Sequence, residues 1–241
     1  MFDLFDFDLP GAVTEQLEKK LRTMPSSQLT ARALQQLAAF QEKHAIQQGV
    51  YQLLLKDKVV YVGKATDVKE RLQQHYEKLR GRRKLKMSDI RFRCLLLHPN
   101  WSTSANEDLL IAHYKDKGQC QWNSSGFGAK DVGRERDGTE PNWFDTHYPI
   151  NDEYPCDGIK DRETVGDLLQ KLKQQLPYTF RFEIRAAEAN SALNLEAVPR
   201  TARSLITCVV KSLGPRWQAT VFRSHIVFYK ETRAYKHGER L

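Results

Sequence analysis

Apolar residues at helical spacing, among them Leu29, Ala33, Leu37 and Phe40, predict two helices over residues 14–46, broken near Pro25. Ser26 and Ser27 are available to cap the second, and Gly49 ends it. The period then changes. Residues 50–55 and 59–62 are β-branched and aromatic, with Lys56, Asp57 and Lys58 between them, and predict a hairpin. Asp67 with Glu70 three residues on forms a capping-box-like start to a helix over 68–80, buried through Val68, Leu72, Tyr76 and Leu79. A third strand follows at 90–97, then a helix at 105–117 capped by Ser104 and ended by Gly118. About 40 loop-like residues, rich in glycine and proline, come next; so long a loop points to function. The chain closes with a helix near 163–175, a strand near 178–184, a helix near 201–213 and strands near 217–222 and 225–229.

Composition narrows the class. Of 241 residues, 40% are hydrophobic and 28% charged, which suits a folded globular protein rather than a disordered one. No apolar run reaches the roughly 18 residues of a membrane span. The aromatic and acidic start (Phe2, Asp3, Phe5, Asp6, Phe7, Asp8) is unlike a secretory signal, so a cytoplasmic protein is expected. Cys94, Cys120, Cys156 and Cys208 form no CxxC pair, which argues against a zinc module or a disulfide framework. Cys94 and His98 have ligand-like spacing, but Cys94 sits in an apolar run and reads as core.

The net charge is +8 and is unevenly spread: between Lys64 and Arg93 eleven Lys or Arg stand against four Asp or Glu. Such a run is a solvated loop or a nucleic-acid contact. Arg80, Arg82, Arg83 and Lys84 there, with Arg134 and Arg136 in the later loop, are the residues such a contact would use.

Candidate chemistry gathers around the hairpin. Gly49-Val50-Tyr51 is followed by Tyr61-Val62-Gly63, and an odd-length turn would bring Tyr51 and Tyr61 out on one face of the sheet. Taken singly, a strand tyrosine is more often core than catalyst. Arg71 and His75, four apart, are neighbours on the next helix; alone they would be an edge arginine and a buried histidine. Glu107 fits a capping box, yet shares a face with Leu110, Ile111 and Tyr114, where a carboxylate needs a partner such as a metal ion.

Taken together, Gly49-Val50-Tyr51, Tyr61-Val62-Gly63-Lys64-Ala65, Arg71 ten residues after Tyr61, Glu107 on a later helix and Asn123 beyond it resemble the GIY-YIG nucleases over residues 47–128. The resemblance implies an α+β fold: a three-stranded mixed sheet flanked by helices, in the order β-β-α-β-α. The expected organisation is a helical N-terminal extension (1–46), the catalytic core (47–128), a DNA-contacting loop (129–160) and an α/β C-terminal extension (161–241). It also implies phosphodiester hydrolysis. Tyr51 or Tyr61 is the general-base candidate, with its ordinary pKa of about 10 lowered by a cation, for which Lys64 is nearest in sequence. Arg71 would stabilise charge on the phosphorane and Glu107 would hold one divalent cation, magnesium by preference. Asn123 would orient the phosphate or the glutamate. His75 would contact the phosphate or assist proton transfer.

Within the superfamily, Asn123-Ser124-Ser125-Gly126-Phe127-Gly128, with Trp143, Asp145, His147 and Pro149 behind it, looks like type II restriction endonucleases of the branch cutting CCGCGG. Phe144 and Tyr148 interrupt the tighter Trp-Asp and His-Pro pairs of that branch, so the target sequence is left open. The resemblance implies a homodimer on double-stranded DNA, with a methyltransferase protecting the host but not stably bound. Two other readings stand beside it: a mobile-element or repair nuclease acting on branched or nonspecific DNA, and a catalytically inactive DNA-binding module.

Overall fold

The computed structural model describes residues 2, 4, 6, 8–98, 103–115, 118–128 and 133–241, without the side chains of residues 9, 103–108 and 136. The chain divides into two compact units, Met1–Tyr76 with Lys86–Gly128, and Glu77–Leu85 with Ala129–Leu241. Residues 1–46, expected as an extension, belong to the same unit as the hairpin.

The first unit opens with helices α1 (Leu9–Thr23) and α2 (Ala31–His44). Asp8 caps α1 through the Gly11 N–H. Thr30, not Ser26 or Ser27, caps α2 through the Ala33 N–H. The expected serine caps fail because Ser27 lies in a short strand, β1 (Ser27–Gln28). The strands β2 (Gly49–Leu55) and β3 (Lys58–Ala65), helix α3 (Val68–Arg80), strand β4 (Ile90–Leu96) and helix α4 (Thr103–Lys115) follow. Asp67 caps the start of α3 through the Glu70 N–H, as its spacing predicts. The strand order is β1-β4-β2-β3. Every adjacent pair is antiparallel, where a mixed sheet was expected. The crossover through α3 carries the chain past β2, so β3 and β4 never become neighbours.

One detail of the hairpin decides the site. Lys56 and Asp57 take left-handed φ values of 50° and 65° and make a two-residue turn, so Leu55 faces Lys58 and Leu54 faces Val59. Continued unchanged, that register would set Tyr51 opposite Val62 and put Tyr51 and Tyr61 on opposite faces. The register instead shifts between Leu53 and Leu54, with Val60 as the extra residue of a β-bulge. Leu53 then faces Tyr61 and Tyr51 faces Gly63, so both tyrosines return to one face. The expected parity holds, reached by a bulge rather than by a three-residue turn.

The opposite face, carrying Val50, Leu54 and Val62, is covered by Leu17 and Leu21 of α1 and Leu110 and Tyr114 of α4. The outer edge of β3 is not left bare: Val59 and Val60 carbonyls accept from the N–H groups of Cys120 and Trp122.

The second unit contains α5 (Trp143–His147), β5 (Arg162–Thr164), α6 (Val165–Gln175), β6 (Thr179–Phe182), α7 (Ala186–Ala189), β7 (Ala192–Asn194), α8 (Ala202–Leu213), β8 (Gln218–Val221), β9 (His225–Tyr229) and β10 (Glu239–Arg240). Its main sheet has the order β10-β8-β9-β6, with β6 and β9 parallel. Thr164 and Thr201 cap α6 and α8. Leu168, Leu169, Leu172, Leu205, Ile206 and Val209 from those helices pack on Phe180, Ile226 and Phe228 of the sheet. Asp137, just after a 3-10 turn at Arg134–Arg136, is buried and tied to that sheet by Arg181, by His225 Nε2 at 2.9 Å and by the Tyr229 hydroxyl at 3.3 Å. No helix among the described residues is long and apolar enough to cross a membrane.

Candidate active site

The glycines of the hairpin make the close packing of the site possible. A Cβ at Gly49 would stand 2.1 Å from the Leu95 carbonyl oxygen on the adjacent strand. One at Gly63 would stand 2.5 Å from the Tyr51 hydroxyl and 2.8 Å from Cε1 of Tyr61. Gly63 is therefore the floor on which both tyrosine rings lie, with centroids 6.0 Å apart.

Helix α3 supplies the polar partners. The Tyr51 hydroxyl lies 2.8 Å from His75 Nε2, inside the protein. The Arg71 guanidinium interacts with the hydroxyls of both tyrosines and also donates to Gln74 Oε1 at 2.9 Å. Four of the expected residues (Tyr51, Tyr61, Arg71 and His75) thus meet in one place. Burial pushes the Tyr51 hydroxyl well above its ordinary value, and Tyr61 beside it adds to the rise, while Arg71 opposes it. Burial acts to lower Arg71, but the two tyrosines outweigh it and the guanidinium is held more firmly charged. Tyr51 is fully enclosed and Tyr61 is 9% exposed, so Tyr61 is the hydroxyl nearer the surface.

The stretch after α4 completes the site. The Asn123 amide pairs with the backbone of Val62, its Oδ1 accepting at 3.0 Å and its Nδ2 donating at 2.8 Å. Expected to orient a phosphate or the glutamate, Asn123 is instead committed to the strand carrying Tyr61. Ser124 and Gly126 take φ values of 61° and 91° and turn the chain back inward. Phe127 then stacks on the His75 ring at 4.7 Å and meets Tyr61 edge-on at 5.1 Å. The sequence places Phe127 in the restriction-like stretch but does not announce its contact with the histidine, which depends on chain 52 residues distant and has no local signal.

Other expected residues fall elsewhere. Lys64 follows Gly63 in an unbroken register, which puts it on the opposite face of β3 from Tyr61. The cation beside Tyr51 is Arg71. The Glu107 side chain lies outside the described residues; its backbone is in the second turn of α4. Arg82 does not reach outward. Its side chain is 3% exposed and donates to Asp145 at 2.6 Å and to the Tyr148 carbonyl at 3.0 Å, so its role is structural. Arg80 is bonded to Glu77 and Tyr154, Arg83 to Asp152, and Arg134 to Glu183 while lying over the Tyr229 ring. Lys84 is exposed. The Arg136 side chain lies outside the described residues.

A tyrosine pair, a fixed guanidinium and a buried imidazole can move a proton and receive negative charge from phosphorus. Residues 47–119 match the family model of the GIY-YIG catalytic domain, a span that contains Tyr51, Tyr61, Arg71 and His75 but not Asn123 or Phe127. That stretch is thus similar to a GIY-YIG catalytic domain, which implies a nuclease acting on DNA. No curated protein matches the chain.

Proposed function

We propose that this GIY-YIG domain makes the chain a type II restriction endonuclease, cutting both strands of duplex DNA at a short, GC-rich palindrome. The observation that carries the reading is the meeting of Tyr51, Tyr61, Arg71 and His75 with the loop through Asn123 and Phe127. That loop is the stretch whose sequence resembles the restriction branch, and it is built into the tyrosine cluster rather than hanging beside it.

In hydrolysis, water attacks phosphorus in line, the bond to the 3′ oxygen breaks, and that oxygen takes up a proton from solvent as it leaves. Tyr61, at the surface edge, accepts the proton of the attacking water. The Tyr51 hydroxyl interacts with Tyr61 and lies 2.8 Å from His75 Nε2, so Tyr61 can pass its own proton back toward that pair as it takes the proton of water, without leaving a phenolate in a buried site. Arg71 receives the charge that builds on the non-bridging oxygens.

Glu107 is the candidate metal ligand. Magnesium is held by one or two carboxylates together with waters and substrate phosphate, and a single hard oxygen donor on α4 suits that need. When bound, the ion would stabilise charge on the leaving oxygen.

A palindrome presents the same half-site twice, which calls for a homodimer, and a host methyltransferase would mark the site. Digestion of unmethylated plasmid and phage DNA with magnesium, followed by sequencing of the ends, tests the assignment. One palindrome at every end supports it. Random ends or nicks would move the protein to the branched-DNA or nonspecific nucleases, and binding without cutting would leave a DNA-binding module.

A further inference from the structure

Other glycines of the first unit have visible reasons. Gly49 and Gly63 have no room for a Cβ, and Gly118 and Gly126 hold φ values of 66° and 91°. Gly128 has neither reason. It is exposed, its φ lies outside the left-handed region, and among the described residues a Cβ there would meet two atoms, both at ordinary contact distance. Those atoms are the Tyr61 hydroxyl oxygen, at 3.6 Å, and Arg71 Nη2, at 3.8 Å. A methyl group fits the free protein at the one point that faces both groups.

We infer that the space in front of Gly128 seats the scissile phosphate of DNA, and that Gly128 is a substrate-positioning residue. The inference rests on the nuclease reading above. A non-bridging oxygen bonded to a charged donor needs about 2.7–2.9 Å. A shift of about 1 Å from the Cβ point toward Tyr61 and Arg71 brings an oxygen into reach of both. A side chain at 128 and that oxygen cannot both be present. The backbone here is held from the preceding residue: Phe127 is 1% exposed and pinned by His75, Tyr61 and Trp122. The loop therefore cannot withdraw to make room without unstacking the imidazole that backs Tyr51.

The test uses Gly128→Ala and Gly128→Val in the full chain. Both should fold with a Tm equal to or slightly above that of the unaltered protein, since only unfolded-state freedom is lost. Cleavage of duplex DNA with magnesium should fall in kcat/KM by about tenfold for alanine and about a hundredfold for valine, the scale of a 1 Å misplacement. Affinity for the same duplex in EDTA should weaken in the same order. Valine at 128 with unaltered kcat/KM and unaltered affinity would overturn the inference while leaving the nuclease intact. Should the unaltered protein cut no duplex, the nuclease reading fails and affinity alone decides: weaker binding by Gly128→Val supports a phosphate seat, equal binding refutes it.

Discussion

The Tyr51 hydroxyl and His75 Nε2 stand 2.8 Å apart with no path to solvent around them, Tyr51 fully buried and His75 3% exposed. A polar pair so placed must satisfy itself, and it does so across β2 and α3. Tyr51→Phe removes the link between Tyr61 and the imidazole while keeping the ring. Its expected effect is a loss of about 10²–10⁴ in kcat, the usual weight of a proton-transfer group, with KM little changed. Single-turnover cleavage of a duplex by the two proteins checks it. Equal rates would remove Tyr51 from the proton path.

Alkaline pH should weaken the fold before it touches the chemistry. Burial raises the Tyr51 and Tyr178 hydroxyls above their ordinary value of 10.0. Burial likewise lifts the Cys120 thiol from 9.0 to about 12, and Cys94 and Cys156 to about 11. A group whose folded pKa is raised contributes its stability below the unfolded value and loses it as pH climbs. Tm should therefore hold up to pH 9 and fall beyond it as the unfolded chain releases protons first. In a calorimetric series, Tyr178→Phe should show a shallower fall above pH 10. An unchanged slope would contradict the burial assigned to that hydroxyl.

Arg82 separates charge that binds from charge that builds. Removing it by Arg82→Ala leaves Asp145, itself 5% exposed, without its cation, and should cost about 3–5 kcal/mol. Lys84→Ala, two residues on and exposed, should stay within about 0.5 kcal/mol. Urea unfolding of both variants distinguishes them, and equal midpoints would return Arg82 to the candidate DNA contacts.

The two hairpin glycines should fail in different ways. Gly49→Ala drives a methyl into the Leu95 carbonyl and should cost about 1–3 kcal/mol of stability. Gly63→Ala meets side-chain atoms of Tyr51 and Tyr61, which can give way, so more activity than stability should be lost. Paired Tm and cleavage assays check this. Full activity in Gly63→Ala would show that the tyrosine positions do not matter.

Much of the site is written locally. The spacing from Gly49 to His75 foretells the cluster because a hairpin and one helix bring those residues together with few degrees of freedom. The parts that are not legible depend on geometry a pattern does not encode. The Lys56-Asp57 turn and the Val60 bulge each reverse the parity of the hairpin, and only their combination restores it. Lys64 is near Tyr61 in sequence but across the sheet in space. The basic run from Arg80 to Lys84 reads as one surface, yet Asp145, 63 residues later, draws Arg82 inside. Asp137 and His225 meet across 88 residues, a contact that no helical or strand period announces.

The most direct test of the site is cleavage of a supercoiled plasmid with magnesium by the unaltered protein and by Arg71→Ala, with circular dichroism confirming that both are folded. The guanidinium is a positive charge set against both tyrosine hydroxyls. The variant should therefore bind DNA and cut it at least about a hundredfold more slowly, as expected for losing a group that meets the transition state. Cutting by Arg71→Ala at the unaltered rate would mean that the tyrosine cluster is not where the phosphodiester is broken.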